Sequence, residues 1–433
     1  MHRSSLVKLT MLLLCLAIFP PAPSVSADVK PGDLIDKDSW EKAEGLLPDP
    51  MINWVKRGEM FIDVEDLKFD SSQFFAPPAL KSLKENAGKY ELDDEHSIIE
   101  VSTGNHPTFI EGIPFPAIDA NDPKAAAKII YNSFYYKYSY GNLKYPFGAR
   151  WIGESGFERL VECNWRVFVM VGYPGAREIS NPTGLERQAI IQILAPFDIA
   201  GTNVLLWRYI DGRADNTFSY VPAIRRVRRM SPANRSDAFI GTDMAVDDTY
   251  GFDGKVGTFT WKLLRKQDAL VPYVSNTPQL IVQNDRGEWQ TTTDVKEARY
   301  GFQEPDKKVA PWVATNLVWV KRAAYLIEAS PKDPYYNYGK QYLWADAENF
   351  WICFKVIYDR ANQYWKTFSV AQMPVESADK TMHWVGTGTH DMVDDRRQHA
   401  TILDGISTKC QHTYYAIQDQ NDYSLGGFQK LCK

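Results

Sequence analysis

The chain has 433 residues and a formal net charge of −5, from 49 basic and 54 acidic side chains. This charge excludes nucleic acid as an expected partner, because phosphate binding needs a net or strongly segregated positive surface. Aromatic residues make up 13% of the chain, with 13 Trp and 23 Tyr. That is more than a core of this size needs, and it indicates additional apolar surface to line or cover.

The first 27 residues predict a secretory signal peptide. Arg3 and Lys8 precede an apolar run over residues 9–19, and the small residues 25–27 (VSA) form a cleavage site. The apolar run is much shorter than the roughly 20 residues of a membrane span. We therefore expect a mature chain of residues 28–433 that is exported and soluble.

Four cysteines remain after cleavage, and an even number in an exported protein favours disulfides. Cys410 and Cys432 are the expected pair, because they close a short loop that would be stabilised by about 3 kcal/mol. Pairing of Cys163 and Cys353 is left open, as is the alternative of four buried thiols. The cysteine spacing matches no zinc site, and we expect no metal and no cofactor.

A lead-in segment and one clear helix precede the strand-rich part of the chain. Residues 28–60 are acidic and contain a short helix after Pro50 (MINWVKRGEM), and residues 61–116 mix short strands with turns. The next segment predicts a helix that covers one face of a sheet. Its capping, first-turn and apolar positions are Asn121 or Asp122, Pro123, Ala126, Ile129, Ile130 and Phe134.

Beyond Leu160, short strands alternate with turn residues. The strands are VECNWRVFVMVGY, RQAIIQILAPF, NVLLWRYI, KVGTFTWKLL, LVWVKRAAYLIEA and FWICFKVIYDR, and the turn signals are Asp211-Gly212, Asp253-Gly254 and Asp285-Arg286-Gly287. Such spacing predicts a mostly antiparallel sheet. With no repeat and no linker, we expect one domain over residues 28–433, with an N-terminal lead-in and a C-terminal extension.

The chain lacks a recognisable catalytic motif, and we expect it not to be an enzyme. The stretch GESGF (residues 153–157) is the nearest approach to a nucleophile elbow, but it ends in Phe157 instead of glycine. The order of calcium ligands in an EF-hand is also absent from the aspartates after residue 240. A hydrolase that pairs a serine with His383 or His390 stays open as an alternative.

Residues 220–255 contain four clustered arginines followed by five aspartates. A strand would place Arg226 and Arg228 on one face and Arg225 and Arg229 on the other, whereas the local apolar spacing slightly favours a short helix opened by Pro222. One interpretation is structural, in which the guanidinium groups pair with Asp237, Asp243, Asp247 and Asp248. The alternative is functional, in which Arg226 and Arg228 rim a cavity or contact a partner.

Several motifs carry a family resemblance. The run YVPAIRRVRRMSPANRSDAFIGTDMAVDD resembles the outer-membrane lipoprotein-sorting proteins, which share the LolA/LolB type of fold. More narrowly, the chain resembles the domain of unknown function 1329 in GIPFPAIDANDPKAAAKIIYN, WRYI, VGTFTWKLLRKQDALVPY and YLWADAENFWICFKVIYDRANQYWKTF. The resemblance implies an α+β fold with a large curved antiparallel sheet, an incomplete barrel, and helices packed on its concave face. It also favours a strand for the arginine cluster.

The resemblance further implies a periplasmic carrier of a lipid, a lipoprotein acyl chain or another hydrophobic compound, serving an inner-membrane exporter and an outer-membrane barrel protein. An apolar cavity alone can hold such a guest, because burial gains about 0.8 kcal/mol per CH₂. We expect the cavity lining to include aromatics spaced two apart, namely Trp207, Tyr209, Phe218, Tyr220, Phe259 and Trp261. The alternatives are an envelope hydrolase with an unrecognised active site and a glycan-binding or scaffolding protein that uses exposed Trp and Tyr.

Overall fold

The computed structural model describes residues 29–231, 235–292, 294–405 and 411–432. The predicted signal peptide and Cys410, hence the Cys410–Cys432 pair, lie outside these residues. Cys163 and Cys353 are buried free thiols. The α-helices of the described part are α1 (Asp49–Lys56), α2 (Pro77–Glu85), α3 (Ala125–Tyr138) and α4 (Leu425–Leu431). None of them is long and apolar enough to cross a membrane.

The strands form one large sheet and two two-stranded sheets, β1 with β2 and β3 with β4. Their bounds are β1 (Leu34–Ile35), β2 (Ile62–Asp63), β3 (Tyr90–Leu92), β4 (Ile98–Glu100), β5 (Leu143–Gly153), β6 (Gly156–Val169), β7 (Leu185–Ala195), β8 (Asn203–Tyr209), β9 (Asn216–Val221), β10 (Arg226–Met230), β11 (Phe259–Tyr273), β12 (Gln279–Gln283), β13 (Trp289–Thr291), β14 (Val318–Pro331), β15 (Gln341–Asp346), β16 (Ile352–Tyr358), β17 (Tyr364–Ser377), β18 (His383–Asp394), β19 (His399–Asp404) and β20 (Thr413–Tyr414).

The large sheet has 16 strands and is not closed into a barrel. Antiparallel pairs run from β10 through β9, β8, β7, β6 and β5, then through β19, β18, β17, β16, β15 and β14 to β11. Strand β12 joins the far end of β17 in parallel and leads through β13 and β20 back to β5. The predicted curved sheet, mostly antiparallel and forming an incomplete barrel, is confirmed. Helix α3 lies on its concave face as predicted, whereas α4 lies on the outer face.

Helix α3 is enclosed by the curled sheet. All of its residues are buried except Lys128, which is half-buried. It contacts opposite halves of the sheet, since the Tyr138 hydroxyl donates to Glu186 on β7 at 2.8 Å and Val385 N on β18 donates to the Tyr136 hydroxyl at 2.8 Å. The helix itself was predicted, but it is buried on every side instead of covering one face.

The C-terminal extension covers the outer face of strands β6 to β9. Side chains alternate along a strand, so Phe168 and Leu205 point away from α3. They form a second apolar cluster with Tyr423 and with Phe428 of α4. This part of the sheet is therefore apolar on both faces.

Candidate functional site

Residues 235–258, which we call the strap, cross the inner face of the sheet between β10 and β11. The regular structure of the strap consists of short 3₁₀ turns, and the strap includes no α-helix and no strand. It faces an apolar floor, defined by Tyr145, Phe147 and Ala149 of β5, Cys163 and Trp165 of β6, Ile191 of β7 and Leu403 of β19. Strap and α3 lie on the same side of the sheet, because the Phe134 and Phe252 rings stack with centroids 6.3 Å apart.

A small apolar hollow lies between the floor and strap residues 239–249. Its free volume is about 50 Å³, which holds a few water molecules. His390 is a polar member of the lining, and burial lowers its pKa to about 3, which keeps the imidazole neutral. The open chamber expected from the sequence is not seen at this site, because the strap fills most of the space above the floor.

Buried charged contacts fasten the strap at three places, and Asp243 makes the first. Its carboxylate lies 2.6 Å from His399 Nδ1 and accepts hydrogen bonds from Thr401 Oγ1 at 2.9 Å and Arg397 at 3.2 Å. The Asp243 carbonyl accepts a hydrogen bond from Lys366 Nζ at 2.7 Å. Most of these partners come from β17 and β19, so the contact ties the strap to the centre of the sheet.

The adjacent pair Asp247 and Asp248 makes the second contact. Asp248 pairs with Lys355 Nζ of β16 and accepts a hydrogen bond from the Tyr338 hydroxyl at 2.7 Å. Asp247 accepts one from Arg235 Nε at 2.6 Å. All of these side chains are buried, so the carboxylates have exchanged water for protein donors.

Asp253 makes the third contact, which involves three arginines. Its carboxylate accepts from Arg187 at 2.6 Å and from Arg208 at 3.3 Å, and its carbonyl accepts from Arg235 at 2.6 Å. Burial raises the pKa of Asp253, but the guanidinium groups outweigh it and the pKa lies below its usual range. Asp253 is therefore charged at neutral pH.

The arginine cluster forms strand β10, as the resemblance implied, but its predicted pairing with Asp243, Asp247 and Asp248 is wrong. The guanidinium groups of Arg225, Arg226, Arg228 and Arg229 are exposed. Strand β10 is the edge of the sheet, whereas the strap turns back onto the inner face and pairs with cations of other strands. Asp237 contacts Asn337 at 2.8 Å. Charged side chains on an edge strand oppose pairing with another sheet.

The structure does not bring the six predicted lining aromatics together. Trp207, Tyr209, Phe218 and Tyr220 lie in the outer cluster, where Trp207 Nε1 donates to the Tyr423 carbonyl at 2.8 Å. Phe259 and Trp261 lie in the main core beside Phe252. The aromatics of the hollow, Tyr145, Phe147 and Trp165, were missed, although Tyr145 and Phe147 in YPF show the same spacing of two.

The histidines named in the hydrolase alternative make other contacts in the described residues. His390 Nε2 lies 3.2 Å from Thr387 Oγ1, and His383 contacts the Lys380 carbonyl, so neither pairs with a serine in the described residues. His399 is oriented by Asp243, but its Nε2 faces Glu158 at 3.4 Å. Within the same residues, no group of three metal-binding side chains converges. Of the Trp and Tyr side chains that the glycan-binding alternative needs, Tyr335 is exposed, whereas no Trp is among the exposed large side chains of these residues.

Attachment of the strap at His399 should depend on pH. The hydrogen bond to Asp243 raises the pKa of His399 above its ordinary 6.5, so this contact stabilises the fold fully below pH 6.5 and is lost as the pH rises through the higher folded value. Between pH 6 and pH 9, wild type should lose more unfolding free energy in urea than His399→Gln. Identical pH profiles for the two proteins would contradict the role of this contact.

Together these features define the class of protein: an open, curled β-sheet wrapped around a buried helix, with a strapped apolar floor. Residues 34–426 match the family described as "Protein of unknown function (DUF1329)", and the chain belongs to that family. The family expected from the sequence motifs is thus confirmed. No curated protein matches the chain.

Three solved structures are similar in fold. A putative outer-membrane lipoprotein-sorting protein domain from Vibrio parahaemolyticus is 16% identical, with a TM-score of 0.45 over 68% of this chain and 92% of that one. A DUF1329 family protein from Desulfovibrio piger is 13% identical, with a TM-score of 0.42 over 66% and 90%. A LolA superfamily protein from Nitrosomonas europaea is 13% identical, with a TM-score of 0.39 over 70% and 98%.

Proposed function

We propose that this protein is a non-catalytic periplasmic carrier for a hydrophobic molecule, such as a lipid or an acyl chain, which binds against the apolar floor when the middle of the strap moves aside. The observation that carries the proposal is the contrast between the floor and the fastening. The floor is apolar, whereas charged side chains attach the strap. A guest on the floor therefore replaces the apolar contacts of the strap, while the strap gives up charged contacts such as that of Asp243 with His399.

Guest binding and strap release involve free energies of similar size. A guest with ~14 buried CH₂ groups gains roughly 11 kcal/mol before ordering costs. Release of strap residues 239–249 breaks the contacts of Asp243 and strains those of Asp247 and Asp248, and a hydrogen bond to a charged group contributes about 1.5–3 kcal/mol. Asp253 lies beyond the part of the strap that lines the hollow, so the three-arginine contact can hold while the middle moves.

The sequence supports the proposed location of the protein and its proposed partners. The predicted signal peptide supports export to the periplasm. The motif resemblance to lipoprotein-sorting proteins supports service to an inner-membrane exporter and an outer-membrane barrel protein, with lipid or another hydrophobic small molecule as the cargo. These partners remain part of the proposal.

A larger side chain in the hollow should weaken binding of a hydrophobic guest. Ala149 is buried on the floor, so Ala149→Phe occupies the space under the strap and should weaken binding of a fluorescent fatty acid at least tenfold. Ala361→Phe, at an exposed turn, is the matched control and should bind like wild type. Native mass spectrometry of gently purified wild type should show bound lipid. Wild-type protein that carries no lipid and binds no fatty acid would overturn the carrier proposal.

A further inference from the structure

A lysine is buried at the inner end of the site. Lys137 lies on α3 with 7% of its surface exposed. Its Nζ donates to Ser133 Oγ at 2.9 Å and lies 4.8 Å and 5.0 Å from the ring centroids of Trp351 and Tyr250. The structure gives it no ion pair with any described carboxylate. A buried ammonium without a counter-charge is costly, so this environment suits an anion that arrives from outside.

Arg187 supplies a second donor beside Lys137. Its Nη2 is bound to Asp253, but its Nε is buried and has no hydrogen-bond partner among the described residues. Lys137 and Arg187 both line a second hollow, of about 20 Å³, between α3, β6 and the strap. Lys137 and Arg187 are the basic residues that line this hollow, and Asp253 is the acidic one. The positive charges in the lining therefore outnumber the negative charge.

The second hollow adjoins the one above the floor. Trp165 lines both hollows, and its ring lies 5.0 Å from that of Tyr250 on the strap. Tyr250 has a left-handed backbone with φ 55°, which costs a non-glycine residue about 1–2 kcal/mol. Movement of the strap at Tyr250 would carry its ring away from Trp165 and would join the hollow lined by Lys137 and Arg187 to the hollow above the apolar floor.

We propose that Lys137 and Arg187 bind the anionic head group of the guest, so that the cargo is an anionic amphiphile with a carboxylate or similar group and an apolar tail. This inference rests on the proposed carrier function and names its ligand class. The tail lies on the floor between β5 and β7, and the head group accepts hydrogen bonds from Lys137 Nζ and Arg187 Nε.

Proton uptake should accompany binding of the head group. Burial lowers the pKa of Lys137 to about 7, so the amine and the ammonium coexist near neutral pH, and an anion favours the ammonium. Binding of an anion should therefore weaken as the pH rises above 7, by up to tenfold per pH unit. The titratable or charged groups that face Lys137 are Tyr138, Tyr140, Arg187, Tyr250, Asp253 and His390.

The test compares dodecanoate with dodecanol, two probes that share a tail and differ in the head group. Wild type should bind dodecanoate at least tenfold more tightly at pH 7, and only dodecanoate should lose affinity between pH 7 and pH 9. Lys137→Met should reduce the preference, because Arg187 remains, and should remove the pH dependence while dodecanol still binds. Lys262→Met, an exposed lysine of β11, is the matched control and should behave like wild type.

The possible outcomes separate the two proposals. Dodecanol binding by Lys137→Met shows that this variant is folded, and Lys137→Gln provides a second test of the same charge. If wild type binds neither probe, the carrier function is wrong. If wild type binds both probes equally, or Lys137→Met weakens both to the same extent, the head-group site is wrong and the carrier function stands.

Discussion

Replacement of Asp253 by Asn is expected to lower the free energy of unfolding by about 3–5 kcal/mol. The carboxylate is shared by Arg187, Arg208 and Arg235, whose side chains are all at least nine-tenths buried. An amide removes the negative charge and leaves the buried Arg187 guanidinium without its carboxylate partner, whereas Arg208 and Arg235 keep Asp215 and Asp247. Urea denaturation followed by tryptophan fluorescence measures the loss.

Asp237→Asn is the matched control for this change. It makes the same substitution on the same strap, but Asp237 is exposed and contacts the side chain of Asn337. We expect a change within about 0.5 kcal/mol. Equal losses in the two variants, or no loss in Asp253→Asn, would show that the three-arginine contact does not stabilise the fold.

Replacement of Gly251 by Ala should lift the strap from the sheet. Gly251 has φ +86°, and a Cβ there would lie 2.6 Å from Ile352 Cγ2 and 2.8 Å from Ile352 Cβ on β16. Backbone strain and overpacking together should lower the free energy of unfolding by about 2–5 kcal/mol. Hydrogen exchange of strap amides should become faster, as measured by mass spectrometry at constant pH.

Gly88 serves as a control that separates the effect of backbone strain from the effect of a steric clash. Gly88 has φ +71°, but no atom lies within 4 Å of the position that a Cβ would occupy. Gly88→Ala should therefore lose only the strain, about 1–2 kcal/mol, and should leave exchange in the strap unchanged. If Gly251→Ala and Gly88→Ala lose the same unfolding free energy and show the same hydrogen exchange in the strap, close packing of Gly251 against β16 is wrong.

The regular elements could be predicted because their signals are local. The apolar repeat of α3 and the apolar runs of β6, β7, β8 and β14 each need only neighbouring residues to be recognised. The predicted capping by Asn121 or Asp122 is wrong, because α3 begins at Ala125, with Lys124 at its N-cap and no side-chain capping bond. The contacts of the strap could not be predicted in this way. Asp243 meets His399, which is 156 residues away in sequence, and the nearby arginines that sequence favoured lie on an edge strand that faces solvent.

The lining residues were missed for a related reason. Alternation tells which side chains share a face, but it does not tell which face points inwards. On β8, Trp207 and Tyr209 share the outer face, while Arg208 between them reaches inwards to Asp253. The C-terminal extension makes the outer face as apolar as the inner one, so aromatic spacing alone cannot separate the two.

The enclosed helix also determines how far the sheet can curl. An α-helix with its side chains is about 10–12 Å across, and α3 carries large rings such as Tyr135 and Tyr136 that are fully buried. Helix α3 thus sets the internal width of the curled sheet, and shortening its buried rings should leave a cavity and lower the free energy of unfolding.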